Sequence, residues 1–149
     1  MNALQFSTPC YVLLDGKQRV GPKLLAPHAA GNSKVIYGFS DKQPYDLFCT
    51  NTPAALTPYP LVKGYLKSQI IDSGGAMPLV VLDAEGPDAP LLYAATMESV
   101  LIAQQTGERQ VRVAFQLKRE PQSQSYRIEN ALHAPDATNR EALIDSGSN

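Results

Sequence analysis

The sequence predicts a mostly β fold of the α+β class, with five strands and one helix between the third and fourth strands over residues 61–134. Twelve prolines and ten glycines among 149 residues divide the chain into short segments, which favours strands over long helices. Several of those segments alternate apolar and polar residues, which is the period of a half-buried strand. One window, residues 96–107, changes to helical spacing.

The first sixty residues predict a β extension. Residues 11–15 (YVLLD) favour a strand, and the polar stretch 16–33 favours a long loop. Residues 34–40 and 45–50 each place apolar side chains at alternate positions, with DKQP between them, so we expect a β-hairpin there. Residues 51–60 hold three prolines, which predicts a linker because proline cannot donate to a β-ladder.

Residues 61–134 supply the five strands. The first, 61–71 (LVKGYLKSQII), has Val62, Leu66 and Ile70 on one predicted face and Gly64 at a predicted bend. The remaining strands are expected within 78–86, 91–95, 109–120 and 126–134.

The expected helix has recognisable ends. Thr96 can cap its N-terminus, Glu98 suits the first turn, and Gly107 can end it in a left-handed conformation. The chain is therefore expected to comprise an N-terminal β extension (1–60), a five-stranded unit (61–134) and a polar, acidic tail (135–149).

In its order of elements, the segment 61–134 resembles OB-fold proteins that bind single-stranded nucleic acid. The resemblance rests on VKGYLKSQI, VVLDAEG, the helix, and QVRVAFQLK, in that order. It implies a five-stranded Greek-key barrel on which the N-terminal extension packs. A generic antiparallel α+β sandwich is the alternative.

Alternation along the predicted barrel strands places Tyr65 and several cationic side chains on the outer surface, and Arg119 directly follows the last outward residue of the fourth strand, Lys118. Single-strand binders need cations to meet phosphates and flat side chains on which bases stack. The resemblance therefore implies a non-enzymatic module that binds single-stranded DNA or RNA. The predicted binding residues are Lys63, Tyr65, Lys67, Arg112, Lys118 and Arg119.

A second function fits the same surface. Exposed lysines commonly protect strand edges from pairing, and a single exposed tyrosine on a strand is ordinary, so this face can also be merely solvated. The net charge is −1, and residues 81–149 carry ten acidic against six basic side chains. That balance suits a structural or adaptor subunit that docks a protein partner or a second copy of the chain.

The sequence gives little support to an enzyme. Neither His28 nor His133 belongs to a metal-ligand pattern, and no nucleophile or phosphate-loop motif is present. Asp83 and Glu85 could hold a metal ion as a carboxylate pair, although a solvated strand end is the commoner outcome. We expect no cofactor and no metal. Two distant cysteines and the lack of a signal-like or membrane-spanning stretch favour a soluble, cytoplasmic protein.

Overall fold

The computed structural model describes residues 4–25, 34–73 and 77–130, which form a mixed α+β fold rich in strands. The strands are β1 Gln5–Ser7, β2 Tyr11–Asp15, β3 Gln18–Arg19, β4 Val35–Gly38, β5 Thr57–Pro60, β6 Leu79–Leu82, β7 Leu91–Thr96, β8 Gln110–Arg112, β9 Phe115–Glu120 and β10 Ser125–Asn130. The helices are α1 Lys42–Thr50, α2 Lys63–Ile71 and α3 Met97–Thr106. No helix in this part of the chain is long and apolar enough to span a bilayer.

A five-stranded sheet in the order β10-β9-β7-β6-β4 organises the molecule. β4 and β6 pair in parallel, with Val35 opposite Leu79, and the other neighbours are antiparallel. All residues of β4 and β6 are buried, as expected for parallel strands that are covered on both faces.

The two faces of this sheet carry separate hydrophobic cores. On one face Val80 and Leu82 of β6 pack with Leu66 of α2 and Val100 of α3. On the other face Val81 packs in a cluster that also contains Phe48 of α1, Leu92 of β7 and Leu117 of β9. Helices therefore cover both sides of the β4–β6 pair, and the carboxyl ends of these strands remain at the rim.

Residues 20–25 bind both edge strands of the sheet, and we call this segment the strap. The carbonyl of Val20 accepts a hydrogen bond from the Tyr37 amide of β4 at 2.9 Å. The carbonyl of Lys23 accepts one from the Tyr126 amide of β10 at 2.8 Å. Six residues reach at most about 20 Å, so the sheet must curl until its edges come within that span. β4 and β10 are not neighbours in the sheet, which is therefore not closed.

A smaller sheet in the order β3-β2-β5 ends on a protected edge. Successive backbone N–H groups of a strand point to opposite sides, so Pro58 and Pro60 point the same way. Pro58 is opposite Leu13 and Pro60 is opposite Tyr11 in the pairing with β2. The N–H groups that can donate to β2 are therefore those of Thr57 and Tyr59. The prolines therefore take the outer edge of β5, which lacks N–H donors at those two positions.

Two of the predicted strands are helices. The prediction of a strand over 61–71 is wrong because α2 occupies Lys63–Ile71. The predicted second strand of the hairpin is also wrong because residues 45–50 belong to α1. The Asp41 carboxylate accepts from the Lys42 amide at the start of α1, and Pro44 lies in the first turn, where no intrahelical donor is needed.

The segments predicted at 51–60 and 109–120 also differ. Residues 57–60 are β5 rather than a linker. The single strand predicted over 109–120 is divided into β8, which pairs with β1, and β9, which pairs with β7 and β10. The coarse prediction of a strand-rich α+β fold is confirmed, whereas the Greek-key OB barrel is not.

The helix prediction at 96–107 is confirmed in detail. The Thr96 hydroxyl oxygen accepts from the Ser99 amide at 3.0 Å, and Gly107 has a φ of 75°. The division at residue 60 stays a prediction, and the five-stranded sheet takes β4 from the first segment and its other strands from the second. The predicted tail, 135–149, lies outside the described residues.

Candidate binding site beside Phe6 and Tyr93

The three predicted site residues of α2 do not share a face. Lys63 and Lys67 are one turn apart and both exposed. Tyr65 lies about 200° around the helix from Lys63, is half-buried, and packs against the core. The alternation that would place an aromatic ring between two lysines therefore does not exist in the folded chain.

Tyr65 already has a cation over its ring. The guanidinium carbon of Arg19 in β3 lies 3.7 Å from the centroid of Tyr65 and 5.9 Å from that of Tyr59. This cation–π contact occupies a ring face on which a base would have to stack. Arg19 is a residue that the sequence did not single out, since β3 and α2 are far apart along the chain.

The other predicted cations are dispersed, and two are paired with acids. Arg112 is exposed on β8. On β9 the Lys118 ammonium lies 3.3 Å from a carboxylate oxygen of Glu129, and Arg119 lies 3.6 Å from one of Asp88. Consecutive residues of a strand point to opposite faces, so Lys118 and Arg119 do not line one groove.

A hollow of about 330 Å³ lies between β1, β7 and the loop 83–90. The rings of Phe6 and Tyr93 form one part of its wall, with centroids 5.4 Å apart. Leu91 lies two residues before Tyr93 on the same face of β7, and 37% of its surface is exposed. The acidic residues Asp83 and Glu85 are among those that line the hollow. We call this feature the aromatic hollow.

The loop that forms the acidic side of the aromatic hollow is held by specific hydrogen bonds. Asp83 has a φ of 47°, which is uncommon for a residue with a side chain. Its carboxylate oxygens accept from the Ser40 amide and the Ser40 hydroxyl, each at 2.8 Å. Further along, the Asn51 side-chain amide donates to the Glu85 carbonyl at 2.8 Å. These contacts fix the loop at the carboxyl ends of β4 and β6, where open α/β sheets commonly bind ligands.

The same rim contains Cys10, whose thiol donates to the Ser40 carbonyl at 3.2 Å. Partial burial of the sulfur raises the pKa of Cys10, and the carboxylates of Asp41 and Asp83 raise it further. Because only the thiolate is a strong nucleophile, this environment is opposite to that of a catalytic cysteine. In the described part of the chain no group of three or more His, Cys, Asp or Glu could hold a metal ion. Both histidines lie outside that part.

The raised pKa predicts slow alkylation of Cys10. In a Cys49→Ser background, the rate of alkylation by iodoacetamide should rise with pH, and the midpoint of that rise should lie above the usual thiol pKa of about 8.5. Asp83→Asn should shift this curve to lower pH, because it removes one of the carboxylates that oppose the thiolate. A pH profile that matches a free peptide thiol would contradict the proposed environment.

Comparison with family models, with curated proteins and with solved structures returns no match for this chain. The aromatic hollow is therefore interpreted from its own geometry.

Proposed function

We propose that this protein is a non-enzymatic binding module that docks a segment of a protein partner in the aromatic hollow. The observation that carries the proposal is a concave, largely apolar surface in which two aromatic rings are only half-buried. Aromatic side chains in such positions supply much of the binding energy of protein interfaces.

The size of the aromatic hollow suits side chains of a partner. A volume of about 330 Å³ is at the lower end for small-molecule sites and accommodates one or two large side chains. The exposed Leu91 at its rim, and Leu4 on the same side of β1 as Phe6, extend the apolar area beyond the hollow. A docked segment could therefore insert an anchor side chain and cover these leucines.

Charge favours a protein over a nucleic acid as the ligand of this site. Asp83 and Glu85 line the hollow and would repel phosphates. Elsewhere Lys118 and Arg119 are offset by Glu129 and Asp88. Binding of single-stranded DNA or RNA through the six residues named from the sequence stays a prediction, and it has a clear signature: affinity that falls steeply with added salt.

Selection of peptides from a random phage library tests the docking proposal. Selected peptides should bind the wild type and lose about tenfold or more in affinity with Leu91→Ser, which makes the rim polar. Ile102→Ser is the matched control, since Ile102 is an exposed apolar residue of α3 and does not line the hollow. It should leave binding unchanged.

Three outcomes would overturn the proposal. One is that no peptide is selected. Another is that the selected peptides bind Leu91→Ser as well as the wild type. The third is that sedimentation shows a dimer of the wild type that Leu91→Ser converts to a monomer, because the leucine rim would then be an interface between two copies of this chain.

A further inference from the structure

We infer that the aromatic hollow selects an arginine side chain of the docked segment, with the guanidinium group placed between the aromatic wall and Glu85. This inference rests on the proposed docking function and adds the chemistry of its anchor.

The two sides of the hollow differ in character. Phe6 and Tyr93 provide an aromatic wall whose two rings are tilted by 41° to each other, and Asp83 and Glu85 lie on the loop side. The carboxylate of Asp83 is held by Ser40, so its negative charge has a fixed position. Glu85 is exposed and belongs to none of the ion pairs among the described residues. A cation that enters the hollow would therefore meet a carboxylate without a partner.

The charge around the hollow is not balanced by neighbouring bases. The loop 83–90 contains three acidic residues and no basic one. Arg119 pairs with the third acid, Asp88, and Lys118, which is opposite Leu91 in register, pairs with Glu129. The charges of Asp83 and Glu85 therefore favour a cationic ligand.

Arginine matches this combination better than the other side chains. Its guanidinium group is planar and weakly hydrated, stacks on aromatic rings, and donates two parallel hydrogen bonds to a carboxylate. Lysine would satisfy the charge but would lose the stacking. An apolar anchor would fill the volume and leave Glu85 without a cation. The chain itself contains such a stack, in which Arg19 covers Tyr65 at 3.7 Å.

Titration with small probes tests this inference. The probes are the blocked amino acids Nα-acetyl-arginine amide, Nα-acetyl-lysine amide and Nα-acetyl-citrulline amide, and the readout is the ring-proton NMR signals of Phe6 and Tyr93. Citrulline keeps the shape of arginine and lacks its charge. We expect arginine to shift these signals at about fivefold lower concentration than citrulline, with lysine between them.

Glu85→Gln should remove most of the preference for arginine over citrulline, whereas Glu108→Gln, an exposed acid outside the hollow, should preserve it. Equal shifts with arginine and citrulline, no shift with any probe, or an unchanged preference in Glu85→Gln would overturn the inference. If selected peptides depend on Leu91 but contain no arginine, the docking function stands and only the choice of anchor is wrong.

Discussion

Gly21→Ala is expected to lower the free energy of unfolding by about 3 kcal/mol or more. Gly21 lies in the strap, and a Cβ atom there would overlap the backbone carbonyl oxygen of Val35. Because the obstacle is backbone of a fully buried strand, it cannot move aside as a flexible side chain would. Relief of the overlap requires the strap to shift, which would break its hydrogen bond from Tyr37.

The control for this variant is Gly64→Ala. A Cβ atom at Gly64 meets nothing within 4 Å, and the residue lies in α2, where alanine is preferred over glycine. We expect a gain of about 0.5 kcal/mol, measured for both variants by urea unfolding. A destabilised Gly64→Ala would favour the bent strand that the sequence suggests, and an unaffected Gly21→Ala would disprove the close approach of the strap to β4.

Leu66→Ala is expected to cost roughly 2–5 kcal/mol, since it removes a large side chain from a core where it is 0% exposed. Val62→Ala should cost less than about 1 kcal/mol, because Val62 precedes the first turn of α2, makes no side-chain capping hydrogen bond and is 43% exposed. A strand over 61–71 would bury both residues on one face, so comparable losses in the two variants would contradict the helix. Thermal or urea unfolding of the two variants measures the difference.

The sequence predicts α3 well because its local signals agree. A capping threonine, an acidic first turn and a terminal glycine all mark the same ten residues, and tertiary contacts add burial without changing the boundaries. The strands β6 and β7 are likewise predicted, since short apolar runs between turn residues leave little alternative.

The prediction of a strand in place of α2 arises because the apolar pattern of this segment fits both a strand and a helix. Val62, Leu66 and Ile70 recur at every fourth position, which is one face of a strand and also one row of a helix. Helix propensity does not identify α2 either, since Gly64 and the isoleucines disfavour a helix. The packing of Leu66 with Val100 against the sheet decides it, and that contact is tertiary.

The division between β8 and β9 shows a second limit of periodicity. Val111, Val113, Phe115 and Leu117 stand at alternate positions without interruption and predict one inward face. In the fold Val111 and Val113 enter one core and Leu117 enters the other. A change of strand partner at residues 113–114 leaves no mark on the alternation, because both faces of the sheet are apolar.

The candidate site could be predicted only in part. Asp83 and Glu85 stand out in the sequence as a carboxylate pair at a strand end, and both line the aromatic hollow. The ring of Phe6 contacts Tyr93 because β1, which lies near the N-terminus of the sequence, pairs with β8. The sequence contains no local signal for that pairing, so the contact between Phe6 and Tyr93 could not be predicted from it.

The pairing of β1 with β8, together with the hydrogen bonds between the strap and β10, has a consequence for folding during synthesis. Residues 5–7 and 23–25 find their partners at residues 110–112 and 126, close to the end of the described chain. Such distant contacts slow folding, because a long loop must close before they form. The nascent chain therefore has to keep β1 and the strap without their final partners until nearly all of these residues have left the ribosome. We expect C-terminal truncation before residue 126 to yield aggregation-prone chains rather than a smaller folded unit.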